Sequence, residues 1–385
     1  SYDNYVDKTT KRTRQFRNQS MASIIKYADL QSEYRDQKED IDSAIQRCLD
    51  TDNFILGHAV DEFESKAKKY LGCDFVGVAS GTSALHLALL ALDIKAGDEV
   101  IVPSMTFMST AEMISQIGAT PVFADIDQYY LLDIDSVKKK ITDRTKCIIL
   151  VDLYGQCPDF DIWQEFRQQG IKLIQDAAQS WGIKYLGRNP NALVDAQCWS
   201  FYPGKNLSAI GDAGGVSGSS ELVDRVRQLS NHGRTKKYVH THLGWNQRMD
   251  AVQAAVLSVK MDRQEWTLTN KRQAASRYAK LLGGTEVIIP KVAPWLGHTW
   301  NQYVVQVPNR NELFELLGKR GIQCGMQYPI PLHLQGAFSY LPVSRLPYTE
   351  DHANSCLCLP MHAYLSHKQV DRVCETLLWH LGDSK

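Results

Sequence analysis

The chain is predicted to be an α/β protein, with a large domain built on a mainly parallel sheet sandwiched by helices and a smaller C-terminal α+β domain. Two patterns predict this. Between Cys73 and about residue 180, apolar strand-like runs alternate with helical stretches, as in a parallel sheet buried on both faces. After Arg248 comes a helix-like stretch of more than thirty residues without Pro or Gly. From about Gly283 it gives way to short strands and helices broken by prolines at 290, 294, 308, 329 and 331. A chain of 385 residues exceeds one small core and suits two domains. The expected division is a flexible N-terminal extension over 1–20, a large domain over 21–265 and a small domain over 266–385.

The elements follow in order. Ile41, Ala44, Ile45 and Leu49 fall at helical spacing and predict an amphipathic helix from Asp40 to Leu49, before a turn at Gly57. A second helix is expected from Val60 to Tyr70. "CDFVGVASGTSALHLALLAL" reads as a short apolar strand, a Ser80-Gly81-Thr82-Ser83 turn and an apolar helix. "DEVIVPS" and "TPVFADI" read as strands around the helical "TAEMISQIGA", and "TKCIILVDLYG" and "IKLIQDAAQ" as two more strands separated by a polar helix. The stretch from Met249 to Leu282 reads as a long helix, and "WNQYVVQV" as a strand of the smaller domain.

Composition removes several classes of function. Lys+Arg and Asp+Glu balance at 43 each, so no basic excess exists to neutralise nucleic-acid phosphates. No run approaches the ~20 uncharged apolar residues that span a bilayer. Nine cysteines without C-x-x-C pairs suggest neither a disulfide framework nor a metal centre, and fit a reducing cytoplasm. Residues 1–20 carry Lys8, Lys11, Arg12, Arg14 and Arg17 with no apolar core, unlike a secretory signal.

Three features carry chemistry. In "CWSFYPGKNLSAIGDAGGV", Lys205 stands among Trp199, Phe201, Tyr202, Leu207 and Ile210. Such surroundings disfavour the ammonium and free the amine as a nucleophile; the other reading is a snorkelling lysine at a turn. The small residues after it are expected to leave room for substrate. "SGTSALHLALL" places hydroxyls and free amides at a helix N-terminus, either as an anion cup or as an ordinary N-cap. No G-x-G-x-x-G follows the first strand, and around Lys205 a P-loop fails at Trp199 and Asn206. Asp176 ends a strand at the edge where open α/β sheets bind ligands, and could equally cap a helix. An anion cup, a shielded lysine and a carboxylate are the three parts that pyridoxal phosphate needs.

The ordered motifs "SGTSALHLAL", "PSMTFMST", "QDAAQSWG", "SFYPGKNLSAIGDAGG", "GWNQRMDAVQAAVL" and "QYPIPLHLQ" resemble the DegT/DnrJ/EryC1/StrS family from about Tyr27 to the C-terminus. The resemblance implies a fold-type-I, pyridoxal 5'-phosphate-dependent aminotransferase whose large domain binds the cofactor. It makes Lys205 the cofactor-bonding catalytic lysine and Asp176 the partner of the pyridine nitrogen. Gln179 corresponds to the contact of the ring hydroxyl, Phe107 to the stacking aromatic, and Gly81, Thr82 and Ser200 to the phosphate site. Asn246 matches an asparagine given to the neighbouring subunit's phosphate, which implies a homodimer with shared sites. Tyr328 and His333 are expected to face substrate, although His333 also reads as a packed domain-interface residue. Trp181, Ser208 and Gln327 depart from the common histidine, glycine and histidine, with Trp181 and Gln327 expected near the substrate.

The implied reaction moves an amine from an amino acid, L-glutamate, to a keto sugar, most often nucleotide-linked. The segments "SFYPGKN" and "GDAGG" look more like members acting on 3-keto than on 4-keto sugars. A related group that removes a hydroxyl has histidine at the lysine position, so Lys205 argues against a dehydratase. A non-catalytic cofactor-binding regulator is the alternative from another class.

Overall fold

The computed structural model describes residues 23–52, 54–342 and 344–382. The extension expected over 1–20 lies outside them. Seven strands form the central sheet: β1 (Asp74–Val78), β2 (Glu99–Pro103), β3 (Thr120–Ala124), β4 (Thr145–Val151), β5 (Lys172–Asp176), β6 (Ala196–Ser200) and β7 (Gly214–Gly218). Their order is β1-β7-β6-β5-β4-β2-β3, parallel except where β7 pairs antiparallel with β1 and β6. This is the expected α/β class.

Alternation along the strands explains the two covered faces. Val100, Val102, Cys147 and Ile149 enter one apolar cluster, while Ile101, Ile148 and Leu150 enter another on the opposite side. Every one of these side chains is buried, so the strands read as continuous apolar runs.

Helix α1 (Lys38–Asp50) buries Ile41, Ala44 and Cys48, while Leu49, counted in the apolar stripe, is 53% exposed. It is followed by α2 (His58–Leu71), α3 (Gly81–Ala91) and α4 (Met108–Gln116). The long stretch after Arg248 is two helices, α5 (Ala251–Met261) and α6 (Gln264–Leu282). Between them the amides of Asp262 and Arg263 bond three residues back, to Val259 and Lys260, which tightens and ends the first helix without Pro or Gly.

The strand β7 corrects a second expectation. The small residues that follow Lys205 include β7 itself, where a Cβ on Gly215 would sit 2.2 Å from the Phe75 ring. At Gly215 close approach to Phe75 requires glycine, rather than room for substrate.

Farther along, β8 (Tyr303–Gln306) pairs antiparallel with β9 (Cys356–Leu359), flanked by α7 (Pro347–Ser355) and α8 (His367–Gly382). Tyr303, Val305, Leu357 and Leu359 join a cluster with residues of α6 and α8, and Ile25 packs into it. Among the described residues no helix is long and apolar enough to cross a membrane.

Candidate active site

The carboxyl ends of β1, β4, β5 and β6 open onto a cavity of about 660 Å³. Gly81, Thr82, Phe107, Asp176, Gln179, Ser200, Lys205 and Tyr328 all line it. A roomier hollow of about 790 Å³ lies among α1, α2 and α5, where Lys66 pairs with Glu62 and Asp262.

The cup comes from the turn into α3. Ser80 is extended and accepts from the Ser83 amide at 3.0 Å, capping the helix. Gly81 and Thr82 come first in α3, where amides precede any intrahelical acceptor and the dipole favours an anion. A Cβ on Gly81 would lie 2.7 Å from Ser200 Cβ, so a larger residue would close the cradle. Thr82 Oγ1 and Ser109 Oγ are 2.7 Å apart.

Lys205 leaves β6 through a tight turn in which its amide donates to the Tyr202 carbonyl at 3.0 Å and Gly204 takes φ 98°. Trp199, Phe201 and Leu207 around it are buried, whereas Tyr202 and Ile210 are at least half exposed. The amine reaches the cavity while protein encloses its stem. Desolvation lowers its pKa to about 8, against an opposing pull from Asp176. The nucleophile reading therefore fits better than a surface lysine with its head in water.

Asp176 is the last residue of β5. Its Oδ2 accepts from Thr110 Oγ1 at 2.8 Å and its Oδ1 from the Ala178 amide at 3.2 Å. Thr110 Oγ1 in turn lies 2.9 Å from Thr106 Oγ1. Burial raises the carboxyl's pKa, and Thr110, Ala178 and Lys205 pull it back. Phe107 precedes α4 with its side chain open to the cavity, its ring centroid 6.0 Å from that of Tyr328. Gln179 Oε1 accepts from the Tyr154 amide at 2.6 Å, and its Nε2 donates to Tyr328 Oη at 3.3 Å.

Other expected residues lie elsewhere. His333 does not line the cavity: its Nδ1 is 2.6 Å from Ser104 Oγ and its Nε2 3.2 Å from Glu350 Oε1, with a side chain only 2% exposed. The expectation that it faces substrate is thus not met within this chain, because those partners hold it in packing. Trp181 is also core. It stacks on Tyr70 at 5.5 Å and meets Trp199 and Phe201 edge-on, so its departure from histidine does not place it at the substrate. Ser208 is buried against Lys260 Nζ at 3.1 Å. Gln327 does line the cavity, its Oε1 accepting from Tyr27 Oη at 2.7 Å and from Gln302 Nε2. Asn246 is outside its own chain's cavity, where its Oδ1 accepts from Arg248 Nη2 at 2.8 Å.

Thr110, Tyr27 and Gln302 are site residues that the sequence did not single out. Thr106 and Thr110, four apart beside Phe107, carried a weak signal as paired hydroxyls. Tyr27 and Gln302 carried none, because only the tertiary fold brings them to the wall.

The residues present fit pyridoxal phosphate. A cradle closed to any Cβ meets an anion, a lysine with depressed pKa meets an aldehyde, and a buried carboxylate with two donors still seeks a positive partner.

Comparisons with known proteins agree with this geometry. The profile of the DegT/DnrJ/EryC1/StrS aminotransferase family matches residues 35–378. A UDP-2-acetamido-2-deoxy-3-oxo-D-glucuronate aminotransferase of Pseudomonas aeruginosa is 36% identical, over 92% of this chain and 99% of its own. A dTDP-3-amino-3,4,6-trideoxy-alpha-D-glucose transaminase of Streptomyces venezuelae is 37% identical, over 92% and 95%. The structure of S. venezuelae DesV, in complex with a ketimine intermediate, superposes with a TM-score of 0.89 at 36% identity, covering 92% of this chain and 98% of that one.

Proposed function

The chain belongs to the DegT/DnrJ/EryC1/StrS aminotransferase family, and on that premise we propose that it moves an amino group from L-glutamate to a nucleotide-linked 3-keto sugar. It is an enzyme of the pyridoxal-phosphate-dependent aminotransferase class. The observation that carries the reading is a single cavity with Lys205 and Asp176 on its floor and the Gly81–Ser200 cradle at its edge.

When bound, the cofactor supplies an electron sink and carries the amino group between the two half-reactions. The first amides of α3, with Ser200 and Thr82, hold the phosphate end. Asp176, aimed by Thr110, presents a carboxylate to a protonated ring nitrogen. Phe107 would stack on the cofactor ring, with Tyr328 beside it. Lys205 Nζ, with a pKa of about 8, is partly neutral near physiological pH and able both to accept and to return a proton. It takes the proton from the α-carbon of the donor amino acid and, in the reverse sense, delivers one to the carbon of the sugar that receives the amine.

The choice of a 3-keto sugar draws on the two curated relatives, whose names place the reacting group at carbon 3 although their nucleotides differ. The homodimer draws on Asn246, remote from its own cavity, and on the neighbouring loop, where Tyr238 and Leu243 are 85% and 91% exposed. A cytoplasmic location draws on nine free cysteines, most of them buried.

The test is to load the protein with pyridoxal phosphate, add L-glutamate and then UDP- or dTDP-linked 3-keto and 4-keto sugars, and identify products by mass spectrometry. Equal yields of 2-oxoglutarate and 3-amino sugar are expected. Amination of 4-keto sugars alone would refute the carbon-3 assignment. Lys205→Ala should hold pyridoxal phosphate without a covalent bond, so that borohydride reduction fixes the cofactor to the wild-type protein and not to the variant.

A further inference from the structure

We propose that Tyr154 and His352 are positioning residues, a directed hydrogen-bond chain that fixes the Gln179 and Tyr328 wall of the cavity from outside it. Neither side chain lines the cavity. Tyr154 follows β4 in a left-handed conformation, φ 63°, that is costly for a tyrosine and persists where surrounding contacts impose it. It is 2% exposed, and His352, on α7, is 3% exposed.

Each bond in the chain has one permitted direction. The Nε2 of Gln306, on β8, lies 3.1 Å from His352 Nδ1, and an amide nitrogen only donates. Burial keeps the imidazole neutral, its pKa pushed down to about 3 with Arg310 adding to the effect. The ring's single proton is therefore on Nε2, which lies 2.9 Å from Tyr154 Oη. Tyr154 accepts that proton's hydrogen bond and spends its own on the backbone carbonyl of Gln327, which can only accept. Stacking of His352 on Tyr130, with centroids 4.1 Å apart, holds the ring in plane for this relay.

The same residue reaches the cavity by its backbone. The Tyr154 amide occupies Gln179 Oε1 at 2.6 Å, which turns the Gln179 amino group toward Tyr328 Oη, 3.3 Å away. Tyr328 immediately follows Gln327, the carbonyl that Tyr154 holds. One tyrosine thus grips both members of the wall, and both present hydrogen-bond donors to the cavity. Such a wall suits an electron-rich oxygen, the ring hydroxyl expected opposite Gln179. The inference rests on the assignment of the cavity to pyridoxal phosphate and not on the identity of donor or sugar.

The experiment titrates the visible absorbance of the protein loaded with pyridoxal phosphate. Donors to the ring oxygen favour its anionic form, so misaligning them should raise the midpoint. Tyr154→Phe and His352→Leu should each raise it by about one unit. His352→Gln, which keeps an N–H donor near the Nε2 position, should leave it near the wild-type value. Leu377→Ala, a buried change in the cluster around α8, should lower thermal stability without moving the midpoint. Unmoved midpoints in Tyr154→Phe and His352→Leu overturn the inference, as does an equal shift in His352→Gln and His352→Leu. Should Tyr154→Phe fail to fold, the two His352 variants decide alone. A wild-type protein that forms no band overturns the cofactor assignment and this inference with it.

Discussion

Thr110 Oγ1 lies 2.8 Å from Asp176 Oδ2 and is the side-chain donor that keeps a buried carboxylate ionisable at the end of β5. Burial raises the Asp176 pKa and this bond is the first of the contacts that lower it. In Thr110→Val the opposing contact is gone, so the pKa climbs further and the carboxylate form is lost at a higher pH. The acid limb of the pH–rate profile should move upward, with activity at neutral pH down about tenfold. Thr110→Ser should restore both. An acid limb that stays in place in Thr110→Val would contradict the role.

The same raised pKa makes a prediction about the protein without cofactor. A carboxyl whose native pKa exceeds its unfolded value, about 3.9, keeps its proton longer in the native state. Stability is therefore fully present below the unfolded pKa and is lost as pH rises through the native one. Asp176→Asn removes the charge that causes that loss. The variant should melt above wild-type at pH 8, with the difference vanishing near pH 3, while amino transfer falls by orders of magnitude. Equal melting temperatures at pH 8 would show that the buried charge has no such cost.

Much of this was legible in the sequence because parallel strands buried on both faces leave uninterrupted apolar runs, as in "CIILV" and "EVIVP". Asp176 and the Gly81 turn were legible because a predicted strand leads into each, and Lys205 because its neighbours are apolar, although the strand before it, β6, was not read. What stayed hidden depends on contacts between distant segments. The strand β7 hides in glycines that suit a close neighbour and give no apolar alternation. The helix break at Asp262 uses ordinary residues, and Tyr27 enters the wall from the other end of the chain.

Two departures from the family pattern separate for a similar reason. Trp181 is buried in an aromatic cluster, whereas Gln327 lines the cavity with its side-chain Oε1 engaged by Tyr27 and Gln302. Trp181→His should therefore cost about 3 kcal/mol of stability through lost packing and leave the preference among sugars alone. Gln327→His should do the reverse, changing relative kcat/KM between sugar substrates with little effect on the denaturation midpoint. Urea titration and competition between two nucleotide sugars read the two effects. A shift in sugar preference from Trp181→His would show that the aromatic cluster shapes the site after all.

The final prediction concerns Asn246, whose Oδ1 is held by Arg248 outside its own cavity. Asn231 bridges Asn246 along the backbone, so the loop from 232 to 245 leaves and returns at one point, and it exposes Tyr238 at its turn and Leu243 on its returning limb. Such apolar exposure has a use if a two-fold copy covers it, and a two-fold interface repeats the same exchange in both directions. Each cavity then needs Lys205 from one chain and Asn246 from the other. Lys205→Ala and Asn246→Ala proteins should each be inactive, yet mixing them should return activity, because a mixed dimer assembles one site from the intact Lys205 of one chain and the intact Asn246 of the other. With equal exchange, half the dimers are mixed and carry one complete site each, so about a quarter of the wild-type activity per chain is expected. Mass spectrometry of differently tagged chains establishes that exchange has occurred. If it has, and both variants are inactive alone, the absence of restored activity excludes a shared site and leaves Asn246 a cap on its own loop.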